Sequence, residues 1–198
     1  MIEPIFADAL LDVQQFFDEL PEIASRSAQL AINDVANHEG LAVMKARVID
    51  DVNFPAGYLD DKLVATKQAT LSDLTAVITG RDRPTSLARF APGQTPANTR
   101  GRGVRIEVKP GQSKLLRNAF LVSLKNGNTG LAIRLKPGQS LTNKREIAGT
   151  VMLGKGVYLL YGPSVDQVFK WVADAARPEI STMVADEFFR QFARLSHG

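Results

Sequence analysis

Apolar residues at Phe6, Leu10, Val13, Phe17 and Leu20 recur every three or four positions, the spacing of one helical face. Pro21 ends that run and suits the first turn of a following helix, so the pattern predicts a break there and a second helix to about Val52. The second helix carries a stripe at Ala24, Ala28, Ala31, Val35, Ala42, Ala46 and Ile49, and Gly40 marks a bend or a division in its middle. Asn53–Gly57 reads as a loop.

The periodicity then shortens to two. Leu63–Gln68 and Leu74–Gly80 flank a polar stretch and predict a hairpin. Residues 83–103 crowd Gly, Pro, Thr and Arg without sustained periodicity, which predicts a long loop with one helical turn at Ser86–Phe90. Val104–Val108 alternates as a half-buried strand. Asn118–Leu124 and Gly130–Leu135 are strands joined across Asn126-Gly127, a strong hairpin signal. Thr150–Gly162 reads as a further strand or as a pair of strands, the pair turning at Gly154–Gly156. Ser164 and Gln167 form a capping box ahead of a helix whose face is Val165, Val168, Phe169, Val172 and Ala176. Pro178 opens a last helix with Ile180, Val184, Phe188, Phe192 and Leu195 along its stripe. The expected class is α+β: N-terminal helices, a central mostly antiparallel β-sheet with a long loop, and two C-terminal helices. A single domain 1–198 is expected, helical over 1–57, basic and β-rich over 58–162, and helical again over 163–198.

Lys109–Ser113 and Lys136–Ser140 spell the same five residues, and Ala91–Thr95 is a near copy. Proline presets φ at the second position of a turn and glycine accepts positive φ at the third, so Pro-Gly favours a type II turn. A phosphate-cradling loop asks for more glycines and a helix behind them. The phrase reads as turn chemistry used at strand ends.

Composition narrows the classes. With 44% apolar and 23% charged residues the chain is ordinary for a folded protein. It has no cysteine, which excludes disulfides, thiolate metal sites and cysteine nucleophiles. The acidic N-terminal stretch does not look like a signal peptide, and no apolar run approaches the roughly 20 residues of a membrane span. The expectation is a soluble, unexported protein.

The net charge of +3 conceals a division. Residues 1–61 hold 12 Asp/Glu and 3 Lys/Arg, while residues 81–145 hold 14 Lys/Arg and 2 Asp/Glu. Separated charge of this size concerns partners and association. The candidate partner or DNA interface is Arg100, Arg102, Arg105, Lys109, Lys114, Arg117, Arg134, Lys136, Lys144 and Arg145, with Lys125 in the same stretch. Phosphate binding would account for it. Phe120 is the sole aromatic residue among them, which disfavours a base-stacking platform. Outward strand faces in water, or an acidic surface on another protein, account for it as well.

Catalytic and metal chemistry finds less support. His38 lies on the line Ala31–Val35–His38–Ala42 and reads as a packed or interfacial histidine, and His197 sits beside the C-terminus. The doublets Asp50-Asp51 and Asp60-Asp61 lack further patterned ligands and read as solvated carboxylates. No catalytic residue, metal ligand or cofactor is expected, and the chain reads as a non-enzyme.

Residues 106–135, from Ile106 through the first repeated phrase to Leu135, followed by Val157–Phe169 with its Tyr-Gly-Pro-Ser, resemble the minor tail protein Z family of tailed bacteriophages and prophages. These are the tail-completion proteins of lambda-like siphophages. The likeness extends over most of the chain and is clearest in residues 104–169. It implies a structural virion protein at the head-proximal end of the tail, assembled in the bacterial cytoplasm and needed for head–tail joining and DNA passage. The implied partners are copies of itself in a ring and neighbouring neck and tail proteins, with no membrane. The alternative is a sequence-nonspecific DNA-binding protein contacting the genome end in the neck. The resemblance brings no catalytic residues with it.

Overall fold

A computed structural model describes residues 5–99, 101–135, 150–154 and 156–197 of the chain. Its elements begin with α1 (Ile5–Asn37), α2 (Glu39–Asp51), β1 (Leu63–Lys67), β2 (Val77–Gly80) and β3 (Thr85–Ser86). A 3₁₀ turn (Leu87–Phe90) and α3 (Pro96–Thr99) follow. Then come β4 (Val104–Lys109), β5 (Gln112–Leu116), β6 (Ala119–Ser123), β7 (Thr129–Arg134), β8 (Thr150–Gly154), β9 (Val157–Gly162) and α4 (Val165–Ser196). The class is α+β, as the hydrophobic pattern predicts.

Two helix boundaries differ from expectation. Helix α1 runs through Pro21. A proline removes one N–H bond but already holds a helical φ, and strong apolar periodicity on both sides carries the helix past it. The break falls instead at His38, between α1 and α2. A Cβ built on Gly40 would lie 2.7 Å from the Val35 carbonyl oxygen, so only glycine allows this close approach. The break resets the phase of the buried face. In α2 it falls on Met44 and Val48, followed by Val52, whereas Ala46 and Ile49 of the expected stripe are exposed. At the other end one continuous helix, α4, stands where two were expected, with Pro178 inside it.

The chain divides into two units, each assembled from separated segments. The helical unit comprises Met1–Val43, Val64–Ile78 and Ala175–Gly198, and the sheet unit comprises Met44–Leu63 and Thr79–Asp174. In the helical unit Ala31 and Val35 are buried on α1, as expected from the stripe, and Ala176 is buried on α4. The Asn33 carboxamide meets both backbone groups of Ala69. Its Oδ1 accepts from the Ala69 N–H at 2.7 Å and its Nδ2 donates to the Ala69 carbonyl at 2.9 Å. Glu187 is buried on α4 and is held by Arg190 and Gln191, and Arg190 also reaches Asp34 at 3.8 Å.

In the sheet unit β9 is the central strand. It pairs antiparallel with β7 along one edge, Ala132 facing Leu159, and with β8 and β3 along the other, Val151 facing Leu159 and Thr85 facing Gly162. The hairpin β6–β7 closes over residues 125–127, with the Leu124 N–H bonded to the Asn128 carbonyl at 2.8 Å. Strands β4 and β5 form a ribbon of their own. Leu63, Phe90, Val104, Leu131, Val165 and Val168 are buried, each contributing on the order of 1.5–3 kcal/mol by removal from water. Phe54 stacks on Tyr58 at 5.4 Å and meets Phe90 at 5.7 Å. The capping box forms in both directions: the Gln167 N–H donates to Ser164 Oγ and the Ser164 N–H to Gln167 Oε1, each at 3.1 Å.

Residues 83–99 and 101–103 are more ordered than their composition predicts. Thr85 is buried, pairs in the sheet and shares a 3.2 Å hydrogen bond with the Tyr58 hydroxyl. Thr99, also buried, donates to the Thr95 carbonyl at 3.0 Å and accepts from the Leu121 N–H at 3.3 Å. The helical turn expected at Ser86–Phe90 is the 3₁₀ turn, capped by Ser86 Oγ. Threonines that look like loop residues in sequence are here the satisfied anchors of a built segment.

The repeated phrase resolves as turns where it is described. In Ala91–Gln94 the Gln94 N–H returns to the Ala91 carbonyl at 3.4 Å with Gly93 at φ 69°. In Lys109–Gln112 the ends pair across the β4–β5 ribbon with Gly111 at φ 72°. Positive φ at the residue after proline is the mark of a type II turn. The copy at 136–140 lies outside the described residues. Among the described residues, no helix is long and apolar enough to cross a membrane.

Candidate anion-binding recess and basic surface

Strand and turn geometry determines where the expected basic residues go. Directly opposed residues of an antiparallel pair share a face. On the β4–β5 ribbon Arg105 opposes Leu115 and Lys114 opposes Ile106, so Arg105 and Lys114 occupy opposite faces. Both are exposed, as are Arg102 and Arg117 in the turns before β4 and after β5, Lys125 in the β6–β7 loop and Arg134 at the end of β7. Lys109 pairs with Asp51 at 3.6 Å. Arg100, Lys136, Lys144 and Arg145 lie outside the described residues. The described members therefore lie on both faces of the β4–β5 ribbon, in the turns beside it and on the β6–β7 hairpin. Glu107, the one acid among them, accepts from the Gly111 N–H at 2.9 Å and so serves the turn.

Cations also come together at arginines that the sequence did not single out. A recess of about 290 Å³ in the sheet unit is lined by Arg81, Arg83 and Arg89 together with Tyr58, Asn126 and Asn128, and Leu159 also lines it. Each arginine is placed by a different device. The backbone of Arg81 is fixed on both sides: its N–H donates to the Lys62 carbonyl at 2.8 Å and its carbonyl accepts from the Asp166 N–H at 3.2 Å. At Gly80 a Cβ would come within 2.7 Å of Asp166 Cα, so the chain there lies hard against the start of α4. The Arg81 guanidinium donates to the Tyr58 hydroxyl at 3.3 Å. Arg89, on the 3₁₀ turn, sits over the Tyr58 ring at 5.0 Å, and Lys62 lies over the same ring at 4.6 Å. Arg83 is exposed at the entry to β3.

No carboxylate lines the recess among the described residues. Three arginines thus line a polar concavity together with the carboxamides of Asn126 and Asn128. Fork-shaped donors of this kind match the oxygens of carboxylate and phosphate. The signal available in sequence was the run of arginines from 81 to 89. It was obscured because the Pro/Thr composition there reads as a loop.

The other candidates are placed plainly. His38, expected packed or interfacial, is exposed at the helix break, its Nδ1 3.1 Å from both Asp34 Oδ1 and the Asp34 carbonyl. The break takes it off the buried line. The doublet acids meet lysines: Asp60 lies 3.4 Å from Lys45 and Asp61 lies 2.5 Å from Lys62. The Lys62 hydrogen bond holds the Asp61 carboxyl below the ordinary aspartate value of 3.8. Among the described residues no three His, Cys, Asp or Glu side chains are grouped as a metal would need.

The division of charge along the sequence carries over to the two units, in a more mixed form. Counted along their segments, the helical unit holds 12 acidic and 5 basic residues, a net −7. The sheet unit holds 9 acidic and 19 basic residues, a net +10. No protein-family model, no curated protein and no solved structure matches this chain.

Proposed function

We propose that this chain is a non-enzymatic structural virion protein at the head-proximal end of a phage tail. In that role it completes the tail for head–tail joining and DNA passage, docking to copies of itself in a ring and to neighbouring neck and tail proteins. The observation that carries this reading is the division of charge between the units, −7 on the helical unit and +10 on the sheet unit. The sequence resemblance to the minor tail protein Z family supplies the setting. A subunit in a ring meets its neighbours through two different surfaces, and opposite potentials on those surfaces fix register and reject wrong contacts. Exposed cations on both faces of the β4–β5 ribbon and in its turns suit contact with several neighbours better than a single catalytic centre.

The test is charge reversal of Arg100, Arg102 and Arg105 to glutamate in the encoding phage or prophage. The expected result is tails that assemble yet fail to join heads or to deliver DNA. Normal titres from that mutant contradict the reading. A nonspecific DNA-binding role is the second reading, supported by the eleven Lys and Arg residues that residues 100–145 hold against a single acid, Glu107. It predicts duplex affinity whose logarithm falls by about 0.9 per neutralised phosphate for each tenfold rise in salt.

A further inference from the structure

We propose that the recess formed by Arg81, Arg83 and Arg89 is a receptor for carboxylate side chains presented by the acidic helical unit of a second copy of this chain. The inference rests on the assembly reading above and names the surfaces that would meet.

Three features of the recess specify the ligand. Its charge is one-sided, with three arginines and no lining carboxylate among the described residues. Such a site is short of anions in the isolated subunit and gains most from an oxyanion that makes two-pronged contacts. Two of its donors are held by Tyr58, the Arg81 guanidinium by the hydroxyl and the Arg89 guanidinium by the ring, which reduces the side-chain freedom those two lose on binding. Its shape is concave, and about 290 Å³ holds roughly ten waters at ~30 Å³ each, the room of one or two acidic side chains. Asn126 and Asn128 on the β6–β7 loop add neutral hydrogen-bonding groups at the wall.

Duplex DNA fits this shape poorly. Its phosphates lie on a convex cylinder and are met by extended stripes or clefts of cations, whereas here the arginines line a compact recess of about 290 Å³. The protein itself provides the complementary surface. The helical unit has a net charge of −7, and Glu22, Glu39 and Asp186 on it are exposed. Acidic unit to basic recess is a head-to-tail contact, the kind that closes into rings or extends into stacks. Since exposed charges contribute mostly to encounter and register, the contact weakens with salt.

Sedimentation velocity on the full chain tests the proposal with three proteins over a salt series: wild type, R83E/R89E, and E22R/E39R/D186R. Wild type should associate at low salt and dissociate as salt rises. Each variant alone should associate at least tenfold more weakly. An equimolar mixture of the two variants should regain association, because each now offers the charge the other lacks. The single variant R83E, whose side chain is exposed and outside the Tyr58 stack, should show a smaller loss in the same direction if the double variant folds poorly. Association of R83E/R89E at wild-type strength overturns the recess, and a mixture that stays dissociated overturns the acidic unit as its partner. A wild type that is monomeric throughout, but loses binding of inorganic phosphate or of a short duplex on R83E/R89E substitution, assigns the recess to phosphate and overturns the proposal. These outcomes bear on the recess alone, whereas absence of the chain from purified tails would remove the reading beneath it.

Discussion

The carboxamide of Gln94 grips both backbone groups of Arg105. Its Oε1 accepts from the Arg105 N–H at 3.0 Å and its Nε2 donates to the Arg105 carbonyl at 2.5 Å. Gln94 thus acts as a one-residue strand partner for β4 and ties the Ala91–Gln94 turn to the sheet unit. Asn33 does the same to Ala69 in the helical unit. Substituting Gln94→Ala should cost about 1 kcal/mol, the net value of an ordinary hydrogen bond, because the partners at this partly exposed site can turn to water. Amide exchange at Arg105 should rise by more than exchange in the β6–β7 hairpin. Equal protection in the variant would show that the turn is held by something else.

Two glycines with nearly the same φ should respond differently to alanine. Gly103 has φ 79°, and an added Cβ would lie 2.7 Å from the Leu116 carbonyl and 2.8 Å from Arg117 Cα. Gly111 has φ 72° with nothing within 4 Å. Gly111→Ala should cost roughly 1–2 kcal/mol, the strain of a left-handed residue. Gly103→Ala should cost on the order of 2–4 kcal/mol, since backbone must move as well. Denaturant unfolding of the two variants checks the difference, and equal midpoints would contradict the crowding at Gly103.

Ser164 is buried and caps α4 reciprocally with Gln167. Ser164→Ala should lower stability by about 1 kcal/mol, and Ser164→Asp should recover much of it by accepting the same N–H. Thermal unfolding followed by helical circular dichroism reads both variants. A silent alanine variant would mean that water replaces the cap.

A pH signature belongs to the β1–β2 turn. The Lys67 hydrogen bond, at 2.5 Å, holds the Asp73 carboxyl below its ordinary value of 3.8, with Thr75 assisting. A lowered folded value means that the contribution is present above pH 3.8 and is lost as pH falls through the folded midpoint. Both side chains are half exposed, so the effect is local and small. Lys67→Met should bring the Asp73 midpoint back toward 3.8 in a carboxyl NMR titration. An unchanged midpoint would show that the ion pair does not persist in solution.

The sequence made elements with strong periodicity legible and obscured those built by single contacts. The β6–β7 hairpin, the β8–β9 pair and the Ser164–Gln167 cap follow from local rules that act within a few residues. The proline signals failed at Pro21 and Pro178, because one missing N–H is outweighed by a long helix on either side. The division that Gly40 marks in the sequence is present at His38, and the close approach of Gly40 to Val35 gives its physical reason. Thr85, Gln94 and Thr99 order residues 83–99 and 101–103 through partners far along the chain, so the stretch looked structureless. For the same reason the recess was missed: its walls come from Tyr58, residues 81–89 and the β6–β7 loop. Of the expected basic residues, Arg105 and Lys114 are adjacent in the ribbon, yet the pleat sends them to opposite faces.

The central claim is that a negative helical unit and a positive sheet unit serve docking within an assembled tail. A reconstruction of the particle neck measures this most directly. The account predicts copies of this chain arranged around the head-proximal end of the tail, each with its helical unit or its sheet unit against a neighbour. Particles that lack the chain, or that carry it with both units facing only water, would contradict it.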